Sequence, residues 1–113
     1  MIRNGIDIES VARFKNRDND FFDTIFTQQE QDYCRSKSFP EQHFCGIYCA
    51  KEALSKALSG IADDVNYVDL IVEHNNDGRP LFVLPEKIKH FNTELSISHT
   101  TEFAVASVIL YTE

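Results

Sequence analysis

Hydrophobic positions along this chain change period several times, and each change marks an element. Ile2 to Ile6 alternates as a short edge strand does, and Asp7 then stands where an N-cap opens an amphipathic helix with Ile8, Val11 and Phe14 on its apolar face. Thr27 and Glu30 have the spacing of a capping box, which predicts a second helix to about Ser36. Pro40 precedes the strongest helical signal, roughly Glu41 to Ser59. There Ile47, Ala50, Leu54, Ala57 and Leu58 form one stripe, and Gly60 supplies the stop. Strand-like segments follow at Val68–His74 and Arg79–Leu84. They flank Asn75-Asn76-Asp77-Gly78, whose Asn and Gly tolerate positive φ, so the two should pair antiparallel. Pro85–Phe91 reads as one short helical turn, Glu94–Ser98 alternates, and Phe103–Tyr111 is almost continuously apolar, as a buried central strand is. The sum is an α+β fold: one antiparallel sheet packed on one long helix, with smaller helices around the edge.

The 113 residues contain no repeat, low-complexity stretch or Pro/Gly/Ser linker, so one domain over residues 1–113 is expected. A chain of this size has little room for a deep private cleft, which points towards a site shared between subunits. Charge narrows the partners further. With 11 Lys+Arg against 18 Asp+Glu, a formal charge of -7 and no basic run, nucleic acid is not an expected partner. No apolar stretch is long enough to span a bilayer and the N-terminus lacks a signal-peptide core, so no membrane partner and a cytoplasmic location are expected. Cys34, Cys45 and Cys49 fit neither a disulfide scaffold nor a CxxC motif. Reduced, buried thiols are the simplest reading, and a zinc site with His43 lacks a named fourth ligand.

Candidate chemistry is sparse. Glu52 and Lys56 stand four apart on the long helix, nearly opposite the apolar stripe; alone, such a pair is an ordinary surface ion pair of about 0.3–0.5 kcal/mol. Asp7 alone is an N-cap. If the first strand packs beside the long helix, however, Asp7 and Glu52 converge as a carboxylate pair suited to a hard cation such as magnesium, which in turn seeks phosphate oxygens. Ser98, His99 and Thr100 occupy a turn between strands and offer donors to such an anion. No GxGxxG or GxxxxGK[ST] loop and no Ser-His-Asp arrangement is present, which argues against dinucleotide folds, P-loop enzymes and serine hydrolases.

Two separated motifs carry a resemblance. Gly5-Ile6-Asp7-Ile8 and Tyr48-Cys49-Ala50-Lys51-Glu52-Ala53-Leu54-Ser55-Lys56 resemble the two signatures of the holo-acyl-carrier-protein synthases, in the 4'-phosphopantetheinyl transferase superfamily. Ile25-Phe26-Thr27 with Glu30, Asp77-Gly78-Arg79-Pro80, Ser96-Ile97-Ser98-His99-Thr100 and Phe103-Ala104-Val105-Ala106 are similar to further family segments in the same order, so the resemblance runs nearly the whole chain. It implies the family's fold and magnesium-dependent transfer of the phosphopantetheine arm of coenzyme A to a serine of an apo acyl carrier protein. By the same resemblance Asp7 and Glu52 hold the metal, and Asp7, Glu52 and Lys56 are catalytic. Lys51, Lys56, Gly60, His99 and Thr100 face coenzyme A, while Arg13, on the first helix, meets the carrier. It also implies a homotrimer with a site at each subunit interface.

The sequence departs from that pattern in three places. Ile47 stands where the family usually has arginine, Thr101 where it has a basic residue, and a glycine is missing around Ser59-Gly60-Ile61. Coenzyme A and acyl carrier proteins are acidic, so a chain of charge -7 must attract them locally. Two other readings therefore stand beside transfer: a catalytically inactive trimer that binds coenzyme A or a carrier, and an unrelated small-ligand or metal-binding domain.

Overall fold

The computed structural model describes residues 1–112. Its chain runs as β1 (Ile2–Ser10), a 3-10 turn (Val11–Phe14), α1 (Asn19–Ile25), α2 (Gln28–Arg35) and α3 (Pro40–Ala57). Beyond α3 come β2 (Ile71–His74), β3 (Pro80–Val83), β4 (Asn92–His99) and β5 (Phe103–Tyr111). The strands form two sheets, not the single sheet expected. β1, β5 and β4 pair antiparallel with β5 in the centre, while β2 and β3 make a separate antiparallel hairpin. β5 is thus the central strand that its almost continuous apolar run predicts, although only the face carrying Ala104, Ala106, Val108 and Leu110 is buried.

The largest correction concerns Asp7. It opens no helix: β1 continues through it to Ser10, with Asp7 opposite Ala106 of β5. A nine-residue ladder along β5 outweighs one capping hydrogen bond, and Ile8 turns outward on the strand while Val11 and Phe14 are buried in the 3-10 turn. The alternation is hard to read because the inward positions of β1 carry Gly5 and Asp7 instead of apolar side chains. Gly5 is there for space. A Cβ at this position would stand 1.8 Å from the Ala53 carbonyl oxygen, so only glycine lets the strand lie against α3 this closely.

The capping box is present as expected: Thr27 Oγ1 accepts from the Glu30 N–H and Glu30 Oε1 from the Thr27 N–H. Helix α1 was not anticipated, although Asp18 caps it by accepting the Phe21 N–H at 2.9 Å. α3 crosses one face of the three-stranded sheet, burying Cys49, Ala50, Ala53, Leu54 and Ala57 against Ala104, Ala106, Val108 and Leu110. Among the described residues no element covers the other face, and its Ile2, Ile6, Ile8, Phe103 and Ile109 are between 37% and 78% exposed.

Candidate active site

Because β1 lies beside the C-terminal half of α3, side chains 49 residues apart meet. Lys56 Nζ donates to Asp7 Oδ1 at 3.1 Å and to the Ile6 carbonyl at 2.9 Å. The second carboxylate oxygen, Asp7 Oδ2, is buried and has no hydrogen-bond partner among the described residues. A buried carboxylate oxygen without a donor costs stability, and positions that carry such a cost are characteristically functional.

Glu52 lies one helical turn before Lys56 and is half-buried. Its Oε1 accepts the Tyr48 hydroxyl at 2.8 Å. Burial first, and then the Glu52 carboxylate, push the Tyr48 phenol up to about 12, so this hydroxyl stays a donor. Arg13 stacks over the Tyr48 ring, 5.0 Å from its centroid, and pairs with Glu9. Arg13 is therefore at the rim of the same site, although on the 3-10 turn and not on a helix. The signal for Tyr48 in the sequence is its spacing of four from Glu52, which places both on one helix face.

Other expected residues separate. Lys51 is not a cofactor-binding residue: it is 0% exposed and donates to Glu30 Oε1 at 2.7 Å and to the carbonyls of Ile25 and Tyr67, each at 2.8 Å. All three of its protons are used inside the protein, where they tie α1, α2 and the segment before β2 to α3. Gly60 ends α3 with φ 79, the left-handed stop expected of it, and its N–H donates to Asp63 Oδ1. Thr100 accepts from the N–H groups of Glu102 and Phe103 and so ties the β4–β5 turn. His99, at the end of β4, faces His43 of α3, 5.1 Å between ring centroids. β1 and β4 are the two outer strands of the sheet, so His99 and the Asp7–Lys56 pair occupy opposite edges of one chain. The three cysteines are buried free thiols; Cys45 and Cys49 donate to the carbonyls of Glu9 and Ala104.

Among the described residues no three His, Cys, Asp or Glu side chains cluster as a metal cage. Magnesium needs no such cage, being held by one or two carboxylates while phosphate and water complete its shell. The orphaned Asp7 Oδ2 beside a helix carrying Glu52 fits that donor set.

The class is that of a small α+β protein, an antiparallel sheet under one long helix with a lysine-paired carboxylate at the sheet edge. The family model of the 4'-phosphopantetheinyl transferase superfamily matches residues 3–108, and the chain belongs to that superfamily. The holo-[acyl-carrier-protein] synthase of Caldicellulosiruptor saccharolyticus is 41% identical, over 93% of this chain and 92% of its own. That of Finegoldia magna is 36% identical over 99% and 97%. Among solved structures, the Bacillus anthracis holo-(acyl-carrier-protein) synthase in complex with CoA (3',5'-ADP) superposes with a TM-score of 0.85 at 32% identity, covering 98% of this chain and 96% of that one. The Helicobacter pylori enzyme in complex with coenzyme A gives 0.83 at 30%, over 98% and 100%.

Proposed function

We infer that this protein transfers the 4'-phosphopantetheine group of coenzyme A to a serine of an apo acyl carrier protein, releasing 3',5'-ADP. The observation that carries the reading is Asp7, held by Lys56 through one oxygen and left with a buried, unpartnered second oxygen. Family membership and the named complexes with coenzyme A support it.

Asp7 and Glu52 would hold a magnesium ion, which when bound draws charge from the diphosphate oxygens. The remaining work falls to the chain's own side chains. Either Glu52, whose Oε1 is fixed by the Tyr48 hydroxyl, or a water beside the ion takes the serine proton. The serine oxygen then bonds to the phosphorus that carries pantetheine. The bond from that phosphorus to the bridging oxygen breaks, and 3',5'-ADP leaves with the electron pair. Lys56, 53% exposed at its side chain, donates to the departing phosphate and offsets its charge. Arg13 meets acidic groups of the carrier at the rim.

A homotrimer completes the reading. The uncovered apolar sheet face is the surface on which copies would pack, and such packing would let one ligand meet Lys56 of one copy and His99 of another. Ile6→Glu, which puts a charge in the middle of that face, should shift the protein from trimer to monomer in sedimentation and lower transfer with it. A trimeric Ile6→Glu protein would place the contact elsewhere.

The direct test mixes the protein with magnesium, coenzyme A and apo carrier and reads intact mass. The expected result is a carrier heavier by one phosphopantetheine, and no gain when magnesium is chelated. The second reading, a catalytically inactive binding trimer, draws on Ile47, buried at 2% exposure where the resemblance leads one to expect arginine. Coenzyme A binding without mass gain on any carrier from the host would establish it instead.

A further inference from the structure

Two phenol hydroxyls face the Glu52 carboxylate, and they come from separate parts of the chain. Tyr48, one turn earlier on α3, donates to Glu52 Oε1 at 2.8 Å. Tyr67 opens a 3-10 turn, Tyr67–Asp69, just before β2. Its hydroxyl faces the same carboxylate, with the Ser55 hydroxyl beside it. The two phenol rings pack edge to face, 6.0 Å between centroids and 69° between planes, so each fixes the other. Burial first, and then Glu52, push the Tyr67 phenol up as they do that of Tyr48, so both hydroxyls remain donors.

Tyr67 is held from behind. Its carbonyl accepts from Lys51 Nζ at 2.8 Å, and the same buried ammonium is fixed by Glu30 and the Ile25 carbonyl. The ion pair that closes the core therefore also sets the backbone from which the Tyr67 phenol reaches Glu52. Tyr48 is held as firmly, its ring 5.5 Å from that of buried Phe14 and beneath the Arg13 guanidinium. A half-buried glutamate on a helix exchanges among rotamers unless donors hold it. Donors carried on rigid elements remove that freedom before the reacting groups arrive.

We propose that Tyr48 and Tyr67 are positioning residues for the transfer step, a two-phenol clamp that sets the Glu52 carboxylate in one orientation for the magnesium ion. The inference rests on the transferase reading, in which Asp7 and Glu52 hold that ion. Neither phenol touches substrate. Each acts through the carboxylate, and the loss of such hydrogen-bonded support behind a metal-ligating group costs about 10–100-fold in metal affinity or activity. One phenol alone still restrains the carboxylate, so its full freedom returns only when both hydroxyls are gone.

Tyr48→Phe, Tyr67→Phe and the double variant test this, since each keeps the ring and removes only the hydroxyl. Magnesium titrated by calorimetry into the protein–coenzyme A complex reads affinity for the ion apart from turnover. Each single variant should bind magnesium several-fold more weakly, and the double variant about 10–100-fold more weakly. At fixed magnesium the transfer rate should fall in step and excess magnesium should restore most of it, while KM for the apo carrier stays within about twofold of wild type. In a Glu52→Ala background the same substitutions should slow the residual transfer no further, because the carboxylate they act on is gone. Coenzyme A binding without magnesium reports that each variant is folded. Wild-type magnesium affinity in the double variant, or an undiminished effect in the Glu52→Ala background, overturns the inference and leaves the transferase reading intact. Wild type that takes up no magnesium overturns it too; if that protein also modifies no carrier, the transferase reading fails with it.

Discussion

Asp7→Asn and Glu52→Gln should each slow carrier modification by roughly 10²–10⁴-fold, measured as the rate of mass gain on the apo carrier at saturating magnesium and coenzyme A. The two variants should differ in stability. Asp7→Asn removes a buried charge whose one ion pair is to a half-exposed lysine and whose second oxygen has no partner, so the variant should fold as well as wild type or better. Glu52→Gln leaves an oxygen that can still accept the Tyr48 hydroxyl and should be close to neutral. Loss of activity without loss of stability is the signature of a working carboxylate. A fully active Asp7→Asn enzyme would move the metal and the diphosphate away from the β1–α3 edge.

Lys51→Met should have the largest effect on folding. The Glu30–Lys51 pair is almost wholly buried, with side-chain exposures of 1% and 0%, and Glu30 also accepts the N–H groups of Thr27 and Val72. Removing the lysine leaves a carboxylate uncompensated in the core and strips the carbonyls of Ile25 and Tyr67 of their donor, a loss of about 3–5 kcal/mol. Denaturant unfolding at fixed protein concentration measures it. Adding Glu30→Gln to Lys51→Met should recover part of the loss, because no charge then remains buried. A wild-type midpoint for the single variant would mean that solvent reaches the pair.

These predictions concern adjacent residues of one helix, 51 and 52, with opposite fates. Consecutive helical side chains point about 100° apart, so one faces α1 and α2 while the other faces the site. Nothing local distinguishes them: both are charged and both belong to the K-E-A-x-x-K stretch. The choice is made by Glu30 and the carbonyls of Ile25 and Tyr67, which reach the lysine from 16 to 26 positions away. Tyr48 differs, because its contact to Glu52 is intrahelical and a spacing of four is signal enough to expect it.

Period, capping and turn chemistry act over a few residues. On those grounds the sequence alone determined the long helix, the Thr27–Glu30 cap, the hairpin around Asn75–Gly78 and the central apolar strand. Tertiary structure decided what depends on distant partners. It drew Asp7 into a strand instead of a cap, split the sheet in two, buried Lys51 and set Asp7 against Lys56. The physical reason is range: a strand ladder or a buried ion pair is stabilised by groups far along the chain, and only the folded packing brings them within reach.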